Sequence, residues 1–186
     1  EEEAARRTDE LVEAALLPAY PAMRLIHDLR DPASRAATID HAVVIGDRAI
    51  LIDSIMVEPG SFTWDGSSLT ASGAAPALTL PRVIEQARLW LDPWRVSGVT
   101  VLHSTGGLLT EPSIERVKAA PAPANPRPGG RSTVRGGDPE PTTVLNPTEL
   151  MDFLREAAVL EARTHVVNVR LLRAVLQLRP DARPRS

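Results

Sequence analysis

The chain has 186 residues, a formal charge of -3 and no cysteine. That length suits one domain with a sizeable core rather than two ordinary ones, and without thiolates there are neither disulfides nor cysteine-based zinc sites. The net charge gives no global attraction to nucleic acid, so any such contact must come from a local patch.

Lys118 is the single lysine among 21 basic residues. Arginine is the better bidentate phosphate partner but keeps its proton at ordinary pH, so Lys118 is the one candidate for an active-site lysine. No apolar run approaches the roughly 20 residues of a membrane span. The acidic start Glu1-Glu2-Glu3 is unlike a signal peptide.

Residues 1–17 read as a helix whose apolar positions are Ala4, Ala5, Leu11, Ala14, Ala15 and Leu17, stopped by Pro18 and Pro21. Glu10 and Glu13 share one face of it, which reads most simply as a solvated face. Met23 to Leu29 is a strand candidate, followed by the turn-forming Arg30-Asp31-Pro32-Ala33-Ser34.

Thr38 to Val57 is expected to form a hairpin. Its apolar runs, Ala42 to Ile45 and Ala49 to Ile52, flank Gly46-Asp47, and glycine at the first central position signals a type II′ turn. Counting outward from that turn pairs Ile45 with Arg48, Val44 with Ala49, Ala42 with Leu51 and Asp40 with Asp53. Directly opposed residues have Cβ atoms about 4.5–5.5 Å apart, so two carboxylates there repel. The pair is tolerated if one is protonated or if a cation lies between them. Alternation puts Ile55 on the same face. The simpler alternative is two aspartates ending strands near solvent, with Ile55 an ordinary core residue.

Further along, Phe62 to Trp64 is a short strand between turns, and Ser67 to Leu80 is a loop or ragged edge hairpin. A helix begins at Leu80-Pro81 and runs from Val83 to Leu91, burying Ile84, Ala87 and Leu91, with Gln86 beside that face. Val96 to His103 is a buried strand, and His103 at its end reads as packed or hydrogen-bonded. Thr105-Gly106-Gly107 lacks the spacing of a phosphate loop.

Residues 119–142 are rich in proline and glycine and form a flexible loop insertion carrying Arg127, Arg131 and Arg135. Thr142 to Leu145 is a strand, and Asn146-Pro147 opens a helix towards Leu160 with Asn146 as its N-cap. A last amphipathic helix spans Val166 to Leu178. Residues 1–178 are thus one domain, with 179–186 a disordered tail. Arg163, Arg170, Arg173, Arg179, Arg183 and Arg185 make this end basic, a surface suited to a phosphate backbone or a protein partner.

This order of elements resembles the NERD domain, a nuclease-related branch of the PD-(D/E)xK, or restriction-endonuclease-like, superfamily. The resemblance rests on Asp9-Glu10, Ile26-His27-Asp28, Pro32 through Asp40-His41, Leu51-Ile52-Asp53, Pro59-Gly60, Trp64-Asp65-Gly66 and Gln86-Ala87. It covers roughly residues 9–155. It implies an α/β fold with a mixed central sheet flanked by helices, and a cytoplasmic location as the default for such a fold. It also implies that Asp40 is the first metal-binding aspartate, Asp53 the acid of the tripeptide, Glu10 a supporting glutamate and Gln86 a nearby glutamine, around Mg2+ or Mn2+.

The tripeptide here is Asp53-Ser54-Ile55, so the lysine is missing. A cation at that place stabilises the transition state, and losing one preorganised electrostatic group costs about 10²–10³ in rate. Three readings follow. The domain is a nucleic-acid-binding or regulatory module with lost or weak hydrolysis, contacting DNA or RNA through local arginines. Alternatively it is an active Mg2+- or Mn2+-dependent phosphodiesterase in which Lys118, Arg48 or Arg82 substitutes. In the third reading it is a protein assembly domain with no nucleic-acid role.

Overall fold

The computed structural model describes residues 2–30, 38–71, 73, 75–107, 110–117, 142–161 and 166–180. Lys118, nearly all of the expected loop insertion and residues 181–186 of the expected tail lie outside this set. The fold is mixed α/β, with two sheets and four helices among the described residues.

Helix α1 (Glu2–Ala15) leads into three strands, β1 (Arg24–Arg30), β2 (Thr38–Ile45) and β3 (Arg48–Val57), paired as an antiparallel meander. Two short strands follow, β4 (Ser61–Trp64) and β5 (Leu69–Ala71), which pair with each other as an edge hairpin. Helix α2 (Leu80–Trp90) then crosses to β6 (Arg95–Ser104), which runs parallel to β3. After β7 (Ser113–Arg116) come β8 (Thr143–Leu145), α3 (Pro147–Glu161) and α4 (Val169–Leu176). The main sheet has the order β1-β2-β3-β6-β8, and the smaller one β5-β4-β7. Strand β7, whose sequence Ser-Ile-Glu-Arg has too little pattern to read as a strand, is held by parallel pairing to β4.

Because β3 lies between two strands and under helices on both faces, Ala49 to Ile52 is a continuous apolar run, all of it buried. Each fully buried Leu or Ile there contributes about 1.5–3 kcal/mol. On one face Ala42, Val44, Ala49 and Leu51 pack with Leu80, Ile84 and Ala87 of α2 and Leu171 and Val175 of α4. On the other, Val43, Ile45, Ile50 and Ile52 pack with Val12 and Leu16 beside α3 residues Leu150 and Leu154. A third cluster of Val57, Phe62, Trp64, Leu69, Leu102 and Val144 joins the two sheets.

Asn146 caps α3 as expected, its Oδ1 accepting the Glu149 N–H at 2.9 Å while the Glu149 carboxylate accepts the Asn146 N–H at 3.0 Å. The buried stripe of α1 is Ala4, Thr8 and Val12, continued by Leu16; Ala14 and Ala15, expected to be apolar contacts, are exposed. A threonine in the stripe hides it from a pattern built on apolar residues alone.

Strand β1 has one irregular residue. Asp28 sits at φ 56°, in the left-handed region, between the pairs His27 with His41 and Leu29 with Ile39. Aspartate tolerates that conformation through its short polar side chain, whereas a β-branched residue does not. Replacing Asp28→Val is expected to lower stability by about 1–2 kcal/mol, seen as a reduced urea midpoint at unchanged slope, and Asp28→Gly is expected to fold normally.

Candidate functional site

Gly46 has φ 52°, and Asp47 does not share its positive φ, the combination a type II′ turn needs. The ladder it sets follows the count from the sequence: Ile45 with Arg48, Val44 with Ala49, Val43 with Ile50, Ala42 with Leu51 and His41 with Ile52. It ends there, one rung before the aspartates. Ile39 is buried in the same cluster as Ala42, three residues away, so strict alternation is interrupted at Asp40. The Asp40 carboxylate instead accepts the Ser54 N–H at 2.8 Å, standing in for a strand partner. The expected face-to-face rung of Asp40 and Asp53 is therefore absent from the ladder, and both aspartates are half-buried at its end.

The other expected residues are spread more widely. Ile55 is partly buried and packs against the cluster that joins the sheets. Glu10 is exposed and paired with Arg6, because the helix turns by about 100° per residue and directs the neighbouring Asp9 at the sheet instead. Gln86 is exposed on α2, and its side chain makes no hydrogen bond among the described residues. Arg48, proposed as a substitute cation, cannot serve: it starts β3, donates to Ser97 Oγ at 3.0 Å and lies over the Phe153 ring. At about 3.3 Å of rise per residue it is some 16 Å along the strand from Asp53. Arg82 is exposed in the first turn of α2.

Beneath α1 the sheet carries a polar group that no motif announced. Thr8 Oγ1 lies 2.9 Å from Ser54 Oγ and 2.8 Å from His103 Nε2, all three residues being buried. One residue further along the helix, Asp9 Oδ1 lies 3.0 Å from His27 Nδ1 and 3.4 Å from His41 Nδ1. One ligand atom from each of Asp9, His27 and His41 falls within 4.8 Å of the others, so the group is placed to hold a metal ion. The histidines face each other across β1 and β2, their ring centroids 5.4 Å apart. They are fourteen residues apart in the chain and join only through strand register, so no short-range ligand spacing marks them. Pairing the Ile26-His27-Asp28 strand with the Asp40-His41 strand would have revealed them.

Burial pushes His41 below the usual imidazole range, against the opposing charges of Asp9 and Asp40. Burial, and then the Arg7 guanidinium, pushes His103 down to about 4. On the opposite side of the sheet, Trp90, Trp94, Arg170, Arg173, Ala174 and Gln177 line a cleft between the end of α2 and α4. Trp90 is 52% exposed. Neither Arg170 nor Arg173 is in an ion pair among the described residues.

The chain matches no protein-family model, no curated protein and no solved structure.

The buried His103 makes stability depend on pH. Its folded pKa of about 4 lies below the ordinary 6.5, so between these values the unfolded chain binds the extra proton. Stability is complete above pH 6.5 and falls as pH drops towards 4, at roughly 1.4 kcal/mol per pH unit. His103→Gln is expected to reduce that slope in urea titrations of metal-free protein between pH 7 and 4.

Proposed function

We propose that the chain is a nuclease-related domain of restriction-endonuclease-like fold that binds nucleic acid and has lost efficient hydrolysis. The order of its elements supports the reading: a helix on an antiparallel three-stranded meander, then a helix crossing to a strand parallel to the third. Asp40 and Asp53 each lie one residue beyond the last rung of the hairpin ladder, and one or two carboxylates with waters are what would hold Mg2+ or Mn2+.

The observation that carries the loss of hydrolysis is the packing of Ile55. The position at which a transition-state cation is expected is taken by an isoleucine that packs, partly buried, against Val57, Phe62, Leu102 and their neighbours, so the apolar side chain supplies packing and no charge. With metal ligands retained and the cation gone, binding persists while the rate falls by about 10²–10³.

The contact with nucleic acid is assigned to the cleft of Trp90, Trp94, Arg170 and Arg173. Indole faces stack bases without regard to sequence, and arginines pair with the phosphates between them. This places a local basic patch on a chain of net negative charge, as any such contact here requires.

Fluorescence anisotropy with single- and double-stranded DNA is expected to show binding that weakens steeply with salt. Arg170→Ala with Arg173→Ala should reduce the slope of log affinity against log salt by about one per arginine. The unaltered chain should not cleave DNA measurably with Mg2+ or Mn2+, and Ile55→Lys should raise cleavage by about 10²–10³. Absence of binding at low salt would sink the nucleic-acid reading. Cleavage by the unaltered chain that disappears in Asp53→Ala would make it an active phosphodiesterase instead.

A further inference from the structure

We propose that Asp9, His27 and His41 form a binding site for a first-row divalent transition metal, clamping α1 to β1 and β2 and separate from any ion held by Asp40 and Asp53. The inference does not depend on the nucleic-acid reading. Alternation along β3 turns Ile52 and Ser54 towards α1, where Ser54 meets Thr8, so Asp53 lies on the other side of the sheet from this site.

The tautomer of His41 is the first argument. Its Nε2 lies 3.2 Å from the carbonyl oxygen of Ala5, which can only accept, so the ring proton is on Nε2 and Nδ1 carries a lone pair. A histidine whose other nitrogen donates to a backbone carbonyl is oriented as metal-bound histidines usually are. That lone pair faces Asp9 Oδ1 at 3.4 Å. Two electron-rich atoms are thus held against each other in a buried setting, the residue His41 being 2% exposed.

Neither of these atoms is satisfied by the protein. Asp9 Oδ1 and His41 Nδ1 are both buried without a hydrogen-bond donor or acceptor. His27 Nδ1 is close enough to Asp9 Oδ1, at 3.0 Å, yet does not meet it along a hydrogen-bonding direction. The three ligand atoms lie within 4.8 Å of one another, close enough to share one ion at a point between them. Buried polar atoms left without partners are costly, and a cation at that point would satisfy all three.

Spacing and donor type select the ion. Metal–nitrogen and metal–oxygen bonds of about 2.0–2.1 Å put neighbouring ligand atoms about 3.0–3.4 Å apart in octahedral or tetrahedral geometry, and the contacts of 3.0 and 3.4 Å match. Two imidazoles and one carboxylate suit zinc, iron, cobalt or nickel, whereas magnesium and calcium prefer oxygen alone. The side chains of Asp9 and His27 are 32% and 39% exposed, which opens one side of the site to water as a further ligand.

Calorimetric titration of the untagged, chelator-treated chain with Zn2+ tests this. One equivalent is expected to bind saturably, to raise the thermal midpoint, and to persist in millimolar Mg2+; Co2+ in place of Zn2+ should give a visible absorption band of nitrogen ligation. Because the buried His41 could disturb folding when replaced, the half-exposed ligands are varied: His27→Ala and Asp9→Asn should each weaken Zn2+ at least tenfold with an unchanged circular dichroism spectrum. Asp53→Asn should keep the affinity. No saturable Zn2+ binding, equal affinity for Mg2+, or binding that survives His27→Ala but is lost in Asp53→Asn would each overturn the proposal.

Discussion

The type II′ turn at Gly46-Asp47 sets the side of the sheet that every residue of β2 and β3 meets, up to the end of their ladder. Side chains alternate with a period of two, so a slip of one residue would exchange Ala42, Val44, Ala49 and Leu51 for Val43, Ile45, Ile50 and Ile52. Both sets are apolar and buried, so the hydrophobic pattern alone does not choose between registers. The turn does, because glycine supplies its positive φ at little steric cost. With the register set, His41 faces α1 and comes into line with His27.

The interface between α1 and the sheet changes character along the helix. Towards its end Val12 and Leu16 join an apolar cluster with Val43 and Ile50. Towards its start Thr8 and Asp9 meet Ser54, His103, His27 and His41. A helix docked wholly on apolar contacts would need none of these groups, and burying them costs free energy unless each finds a partner. Thr8, Ser54 and His103 do so among themselves. Asp9 Oδ1 and His41 Nδ1 do not, so the unsatisfied part of the interface coincides with the group of potential metal ligands.

At the end of the hairpin, the Asp40 carboxylate takes over a strand N–H just where the ladder stops. The ladder therefore finishes on a polar side chain rather than on an open backbone edge. Ile55 beyond it belongs to the cluster that ties the small sheet to the large one. An apolar side chain at this place serves the packing between the two sheets.

Most of the element order was legible in the sequence, because apolar periodicity, prolines at helix starts and the Gly46-Asp47 turn are local signals. So were the N-cap at Asn146 and the packed, hydrogen-bonded state of His103. The third strand of the small sheet was not, since β7 has almost no pattern of its own and exists through its pairing with β4. The stop of the hairpin ladder before Asp40 and Asp53 was likewise hidden, because register counting assumes that pairing continues and only the surrounding packing ends it. The family resemblance named Glu10 as the helix acid, and the sequence left His27 and His41 as separate residues. Tertiary structure turned Asp9 towards the sheet and brought the two histidines beside it, because helix phase and strand register act between segments that have no local sequence relation.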